Sequence, residues 1–408
     1  MVRTSSAIFV AALSGALAAP PAFPQGNGFS GDNGFDTQTA RLVLDAGTVV
    51  RAGDGDAALL YDIDGHIEFE SFTGRGRRYG LVLGGRLRRD TGRRAWGGLA
   101  GDCPPDTGGC PDVAGPVSGF RAAGLPAGGP ETRGTLDTAY LFYDTGWGEV
   151  RLGRADGAAR LDPAAGPAAF RLTRADGGRV NTGLLSGART ISHISGQDFK
   201  LVFRSVALGQ ESSVGTLRLA ASFTPSVRDC GVDACAREYG PAGLVSPVFD
   251  DVFELGVHYA IRRGGHEWEA SVSAAKGEDA TGRPGSGALE SLDAGLSWTR
   301  GAWSAGVRGL AANNGLGNDR GYTAWAVSAG YETGPWLLTL EHADFSDNAV
   351  HVDGDSWQIG GSRLIGQRWI AGAGVQTMTR SGPVAVPGGR GQQDRDTLGG
   401  FFELGWQF

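Results

Sequence analysis

Lysine is almost missing from this chain. It occurs twice, at Lys200 and Lys276, and every other basic residue is arginine. A GC-rich genome raises Ala, Gly and Arg codons together, so arginine abundance alone carries no functional message. Cysteine is also scarce. The four cysteines form two close pairs, Cys103 with Cys110 and Cys230 with Cys235. Neither pair has C-x-x-C spacing and no histidine stands near, which speaks against a thiolate metal site. No apolar run beyond the first 19 residues approaches the roughly 20 that a membrane-spanning helix needs. This speaks against a helical membrane protein. A barrel stays allowed, because its lipid-facing residues are only every second one. Gly-X-Y repeats are lacking, so 70 glycines do not mean collagen. No Gly-x-Ser-x-Gly elbow, P-loop or HExxH occurs, and His66, His193, His258, His266, His342 and His351 are scattered singly. A formal net charge of −7 gives no reason to expect nucleic-acid binding.

What is present begins with an export pattern. Arg3 precedes an apolar run from Ala7 to Ala19, with small residues at Ala16, Ala18 and Ala19 and prolines directly after. This reads as a secretory signal peptide over 1–19. A Gly-rich link covers 20–37, and 38–408 is expected to form one unit. In an exported chain the two cysteine pairs are expected to close two local loop disulfides, Cys103 to Cys110 and Cys230 to Cys235.

From about Thr39 the sequence is a series of short alternating runs separated by turn residues, the pattern of strands. Phe253, Leu255, Val257, Tyr259 and Ile261 share one face; so do Trp268, Ala270, Val272 and Ala274, and Leu292, Ala294, Leu296 and Trp298. Expected strands are 38–51, 62–72, 79–89, 135–144, 148–155, 198–206, 214–224 and 250–262, then 267–276, 290–299, 302–312, 320–332, 335–344, 355–364, 368–380 and 397–408. Tight turns such as Arg300-Gly301 alternate with longer links at Gly277–Ala288, Asn313–Arg320, Phe345–Asp353 and Ser381–Asp396. About sixteen strands joined in this way predict an all-β, up-and-down antiparallel transmembrane barrel.

The last strand carries the same message. In TLGGFFELGWQF, Leu398, Phe402, Leu404, Trp406 and Phe408 share an apolar face, and Glu403 lies on the other. Aromatics at strand ends suit an interfacial girdle. An ordinary core-facing strand would look similar in isolation; the signal segment and the alternating turns favour the barrel.

Three features resemble Gram-negative porins of the alphaproteobacterial general diffusion type. LDTAYLFYDTGWGEVRLGR (Leu136–Arg154) is similar to the hairpin that leads into their pore-constricting third loop. LVFRSVALGQESSVGTLRLAASFTP (Leu201–Pro225) resembles the next hairpin, and Phe408 matches their terminal assembly signal. The resemblance implies a homotrimer in the bacterial outer membrane, in contact with its lipid, passing small hydrophilic solutes and ions passively through a sixteen-stranded barrel. It also implies a third loop folded inside. The residues point to the same segment, because about 155–197 is a link of more than forty residues without a sustained strand.

Charge on the lipid face costs about 2–4 kcal/mol for Arg or Lys near the midplane, so charged strand positions are expected to face the lumen. Arg86, Arg88, Arg151, Lys200, Arg204 and Arg218 are the expected basic wall; Asp156, Asp162 and Asp176 are the expected acidic set on the loop. Opposed charges across a constriction create a transverse field. The bland alternative, solvated lumen residues with no special role, stays open for each. Arg160, Arg171, Arg174, Arg179 and Arg189 outnumber the loop aspartates, a departure from the acidic loops of the family that favours weak anion preference. No cofactor, metal or enzymatic activity is expected. Other readings are a substrate-specific outer-membrane channel, a barrel adhesin and an outer-membrane enzyme.

Overall fold

The computed structural model describes residues 39–53, 55–90, 130–180, 188–209, 214–227, 249–280, 287–315, 320–348, 351–386 and 389–407. The signal segment, the 20–37 link, Cys103, Cys110, Cys230, Cys235, Gly183-Leu184-Leu185 and Phe408 lie outside the described residues.

Sixteen strands close into one barrel. In chain order they are β1 (Thr39–Gly53), β2 (Gly55–Phe72), β3 (Arg78–Asp90), β4 (Glu131–Asp144), β5 (Gly148–Arg154), β6 (Phe199–Ser205), β7 (Thr216–Val227) and β8 (Phe249–Arg263). There follow β9 (His266–Asp279), β10 (Leu289–Arg300), β11 (Trp303–Ala312), β12 (Tyr322–Thr333), β13 (Trp336–Asp347), β14 (Val352–Ile365), β15 (Trp369–Val386) and β16 (Gly389–Gln407). Each strand pairs with its chain neighbours, and β1 pairs antiparallel with β16, so that Thr48 stands opposite Leu404. Closure pairs every strand's backbone on both sides, which a lipid surround requires.

Polarity is inverted relative to a water-soluble protein. Leu255, Ile359 and Leu292 face outward and are more than half exposed, while Glu254, Glu341 and Glu403 on alternate positions face inward and are buried. Period-two alternation makes this segregation, since successive side chains leave a strand on opposite faces. Aromatic pairs gather beside the tight turns on the outside. Trp268 and Trp298 lie 6.2 Å apart between ring centroids, Trp303 and Tyr331 4.7 Å, and Trp369 and Trp406 6.1 Å. The girdle expected from the sequence is therefore present at that rim.

Several strands run further than the sequence pattern suggests. Ser381–Asp396 is not a free link: β15 and β16 continue pairing through it as far as Val386 opposite Gly389. The Phe345–Asp353 and Gly277–Ala288 links shrink for the same reason, with β13 reaching Asp347 and β9 reaching Asp279. Strand length spans 7 residues in β5 to 19 in β16. A register shift between Gly84 and Arg86 against β4 changes which β4 residues face inward. Below it Tyr140 and Phe142 point into the barrel with Leu141 outside; beyond it Asp137 and Arg133 do so with Leu136 outside.

Candidate functional site: the inner loop and the wall it faces

The described parts of the segment between β5 and β6, 155–180 and 188–198, lie inside the barrel against its inward-facing residues. A helical turn, α1 (Ala158–Leu161), sits on β7, β8 and β9. The chain then crosses the inner wall strand by strand. Ala158 N–H donates to Ser222 Oγ on β7 (2.9 Å), Ala164 N–H to Ser271 Oγ on β9 (2.9 Å), and Ala169 N–H to Thr339 Oγ1 on β13 (3.3 Å). A loop without its own ladder must satisfy its backbone elsewhere, and inward serines, threonines and carboxylates do so here.

The tip is held by Glu403. Its carboxylate accepts from the backbone N–H groups of Arg171 (2.6 Å), Leu172 (3.1 Å) and Thr173 (3.2 Å), and from Thr173 Oγ1 (3.1 Å). Ala175 N–H donates to Glu341 Oε2 (3.2 Å), while Ser356 Oγ and Gln358 Nε2 donate to the carbonyls of Ala175 and Thr173 (2.8 and 3.2 Å). Beside this strap Phe170 meets Phe401 edge-on at 4.8 Å between centroids. It lies over glycines of β14 and β15, where a Cβ on Gly360 would stand 2.5 Å from its ring. The apolar piece Ala168-Ala169-Phe170 thus packs on the wall.

The return arm crosses back. Tyr322 OH accepts from Arg189 N–H (2.6 Å), and Ser192 N–H donates to Asp293 Oδ2 (3.2 Å). Arg308 ties the two arms together: Nη1 donates to Ala164 O (2.6 Å), Nε to Thr190 O (2.8 Å) and Nη2 to Asp293 Oδ1 (2.5 Å). At the root, Lys200 Nζ donates to Ala155 O (2.7 Å), Gly196 O (2.8 Å) and Ser195 O (3.3 Å).

The residues expected to line a constriction fall into separate groups. Asp162 on the loop meets wall residues, paired with Arg204 (Nε to Oδ2, 2.8 Å) and 3.8 Å from Arg218. Arg86 grips Asp62 with two hydrogen bonds of 2.7 and 2.8 Å, and Arg88 reaches the same carboxylate at 3.1 Å. Arg88 and Lys200 are fully buried, so neither presents its side chain to a water path. Arg151 pairs with Glu149 (2.6 Å) and lies over the Tyr140 ring, 5.2 Å from its centroid. Asp176 pairs with Arg174 (3.2 Å) and accepts from Thr190 Oγ1 (2.5 Å) within the loop. Asp156 accepts from Gln197 Nε2 (2.8 Å) and faces Arg160 (3.3 Å). Burial in the barrel raises the Asp156 pKa, but Arg160, His193, the Gln197 amide and Lys200 outweigh it and hold the carboxyl below its ordinary value.

At Asp162 a loop acid stands against wall bases, and at the tip the polarity is the reverse. There Arg171 pairs with Asp45, and Arg179 contacts Asp45 (2.8 Å), Asp62 (3.0 Å) and Asp64 (3.4 Å). Those wall aspartates were missed in the sequence. The signal was available: Asp62 and Asp64 continue the inward face of His66, Glu68 and Glu70, with Tyr61 and Ile63 on the other face.

Among the described residues, the loop's hydrogen bonds to wall side chains lie on β6, β7 and β9 to β16, and its ion pairs reach β1, β2, β6 and β7. This is a barrel partly filled by its own loop, with charged inner faces on β2 to β6.

The model of the Gram-negative porin family matches residues 23–383. Curated proteins yield no match. Among solved structures, a porin refined at 1.8 Å is similar at a TM-score of 0.51 and 12% identity, covering 91% of this chain and 100% of its own. The anion-selective porin of Comamonas acidovorans is similar at a TM-score of 0.53 and 14% identity, with 91% and 100% covered. Both likenesses are of fold. With the family model spanning most of its length and a closed sixteen-stranded barrel beneath it, this chain belongs to the Gram-negative porins, outer-membrane channels for passive diffusion of small hydrophilic solutes.

Proposed function

We propose that the channel is a homotrimeric general diffusion porin with weak selectivity leaning to anions. Its narrowest part lies between the inner loop, about 155–197, and the inward faces of β2 to β6. The observation that carries this is the course of the loop, strapped to the wall from β7 round to β16. Arg86, Arg151, Asp156, Asp162, Arg204 and Arg218 are the charges proposed to meet the solute; Asp176 acts from within the loop. Five loop arginines against three aspartates favour anions. Pairing of Arg171 and Arg179 with wall aspartates keeps that preference small.

Reversal potential in a salt gradient tests the selectivity, and a strong cation preference would overturn it. Liposome swelling with sugars of graded size tests the mode. A size-only limit supports general diffusion, and saturable uptake of one solute supports a specific channel instead. The trimer is tested by an unheated gel in mild detergent, where a band at monomer mass rejects it.

A further inference from the structure

We propose that Lys200 is a positioning residue for permeation: its buried ammonium joins the two ends of the inner loop and thereby sets the width of the passage. The proposal rests on the role of that loop as the constriction. Lys200 stands on β6 facing inward, and none of its surface is exposed. An ammonium has three donors and no acceptor. All three are used on backbone carbonyls, Ala155 at the start of the loop and Ser195 and Gly196 at its end. The residues that leave and re-enter the wall are thus gathered on one atom. A charge held this way acts on loop geometry; a charge projecting into water acts on the passing ion.

The surroundings fit a fixed junction. Glu254, Asp156 and Asp198 supply negative charge around the ammonium, which a buried cation requires. Ser222 Oγ accepts from Ala158 N–H (2.9 Å) and donates to Glu254 Oε2 (2.7 Å), so the next loop residues are tied to the same carboxylate. Gly157 leaves no slack, since a Cβ there would stand 1.7 Å from Glu254 Oε2 and 2.4 Å from Ser195 Oγ. Removing the ammonium leaves three inward carbonyls without this donor, so that the loop ends are joined only through the Asp156–Gln197 and Arg160–His193 side chains and the β5–β6 pairing beneath them among the described contacts.

Two lysines in the chain make a direct test. Lys276 is 60% exposed beside Glu290, whereas Lys200 is wholly buried. Acetylation of the native trimer or monomer, mapped by mass spectrometry, is expected to modify Lys276 at least about tenfold faster than Lys200, with the difference lost on denaturation. Equal rates in the native protein overturn the junction. In Lys200→Met the expected result is a raised solute size limit, noisier open-channel current and new protease cleavage within 155–197. Its reversal-potential shift is expected to be smaller than that of Arg86→Gln. A Lys200→Met channel with wild-type size limit and noise but a shift as large as that of Arg86→Gln makes Lys200 a field residue and rejects the proposal. Loop cleavage without any change in size limit rejects the loop as the constriction and leaves the junction standing. Should Lys200→Met fail to assemble, the labelling of the unaltered protein decides alone.

Discussion

At the root of the inner loop a cation, Lys200, takes three backbone carbonyls; at the tip an anion, Glu403, takes three backbone amides and a hydroxyl. The ion pairs invert in the same order. Near the root a loop acid, Asp162, meets wall bases Arg204 and Arg218; at the tip loop bases Arg171 and Arg179 meet wall acids Asp45, Asp62 and Asp64. A segment pressed against a wall offers carbonyls in one place and amides in another, and the wall must answer with donors or acceptors accordingly. The side-chain charges therefore oppose each other along the loop, and a loop with such ends generates little net transverse field.

The strongest test of the contrast is to remove the tip acceptor. Glu403 is buried, and Glu403→Ala leaves the amides of Arg171, Leu172 and Thr173 without an acceptor. A buried unsatisfied amide costs about 1–3 kcal/mol. The tip is expected to leave the wall while the barrel, whose strand pairing does not involve this side chain, persists. Open-channel noise and the solute size limit should rise, and protease should cut within 155–197; Glu403→Gln, which keeps one acceptor oxygen, should do less. If Glu403→Ala conducts as quietly as the parent and resists protease as well, the remaining partners Glu341, Ser356, Gln358 and Gln376, whose Nε2 donates to Arg174 O (3.3 Å), hold the tip unaided. The symmetry of root and tip then has no energetic content.

The barrel was legible because lipid imposes a rule on every second residue. Phe253, Leu255 and Val257 alternate with inward Glu254 and His258, and that alternation marks β8 without any other information. Above the lipid the rule lapses. Along Ser381–Asp396 the strands keep their pairing, as Ser381 opposite Asp394 and Val384 opposite Gly391 show, but outward positions need not be apolar, and the stretch reads as a loop. The site was legible only in part. Inward charges follow from the alternation, so Arg86, Lys200, Arg204 and Glu403 could be placed in the lumen. Their partners could not, because the loop that meets them has no period and its register on the wall is set by tertiary contacts. Lys200 accordingly read as a wall charge, and its burial beneath three carbonyls depends on where the loop returns.

A second test crowds the root without touching a charge. Gly157 has φ −74°, open to any residue, so Gly157→Ala acts through space alone. Its methyl would enter the Glu254 carboxylate and Ser195 Oγ. Overpacking of this kind costs about 1–3 kcal/mol. Loop release is expected to be weaker than in Glu403→Ala, visible as intermediate noise and partial protease cleavage. A quiet, protease-resistant Gly157→Ala channel would show that the root tolerates displacement and that the tip alone fixes the loop.

The polarity contrast is sharpened by neutralising one loop charge at each end. Asp162→Asn frees Arg204 and Arg218 and should move the reversal potential toward anions. Arg179→Gln removes one cation from beside wall carboxylates Asp45, Asp62 and Asp64, of which Asp45 keeps Arg171 and Asp62 keeps Arg86 and Arg88, and should move it toward cations. Both pairs are partly open to the lumen, where an ion pair is worth about 0.2–1 kcal/mol, so each permeability ratio should change by less than about fivefold. Shifts of the same sign would mean that the solute does not sense the two ends separately.

The smallest effect expected is the pH response of Asp156, on the loop just beyond the root. Burial works against its charge, but Arg160, His193, the Gln197 amide and Lys200 prevail, and its folded pKa lies below the ordinary carboxylate value. A depressed folded pKa stabilises the folded loop above the ordinary value, and that contribution is lost as pH falls through the folded value. From neutral pH down to about pH 4 Asp156 therefore stays ionised, and its charge disappears only below that. The measurable quantity is the difference in reversal potential between the parent channel and Asp156→Asn. It should be constant from neutral pH to about pH 4 and shrink below. With 40% of its side chain open to the lumen, screening keeps the difference small. A difference that already fades between about pH 6 and 5 would mean that burial wins over Arg160 and Gln197. The root would then lack the acidic group on the loop side that sets it apart from the tip.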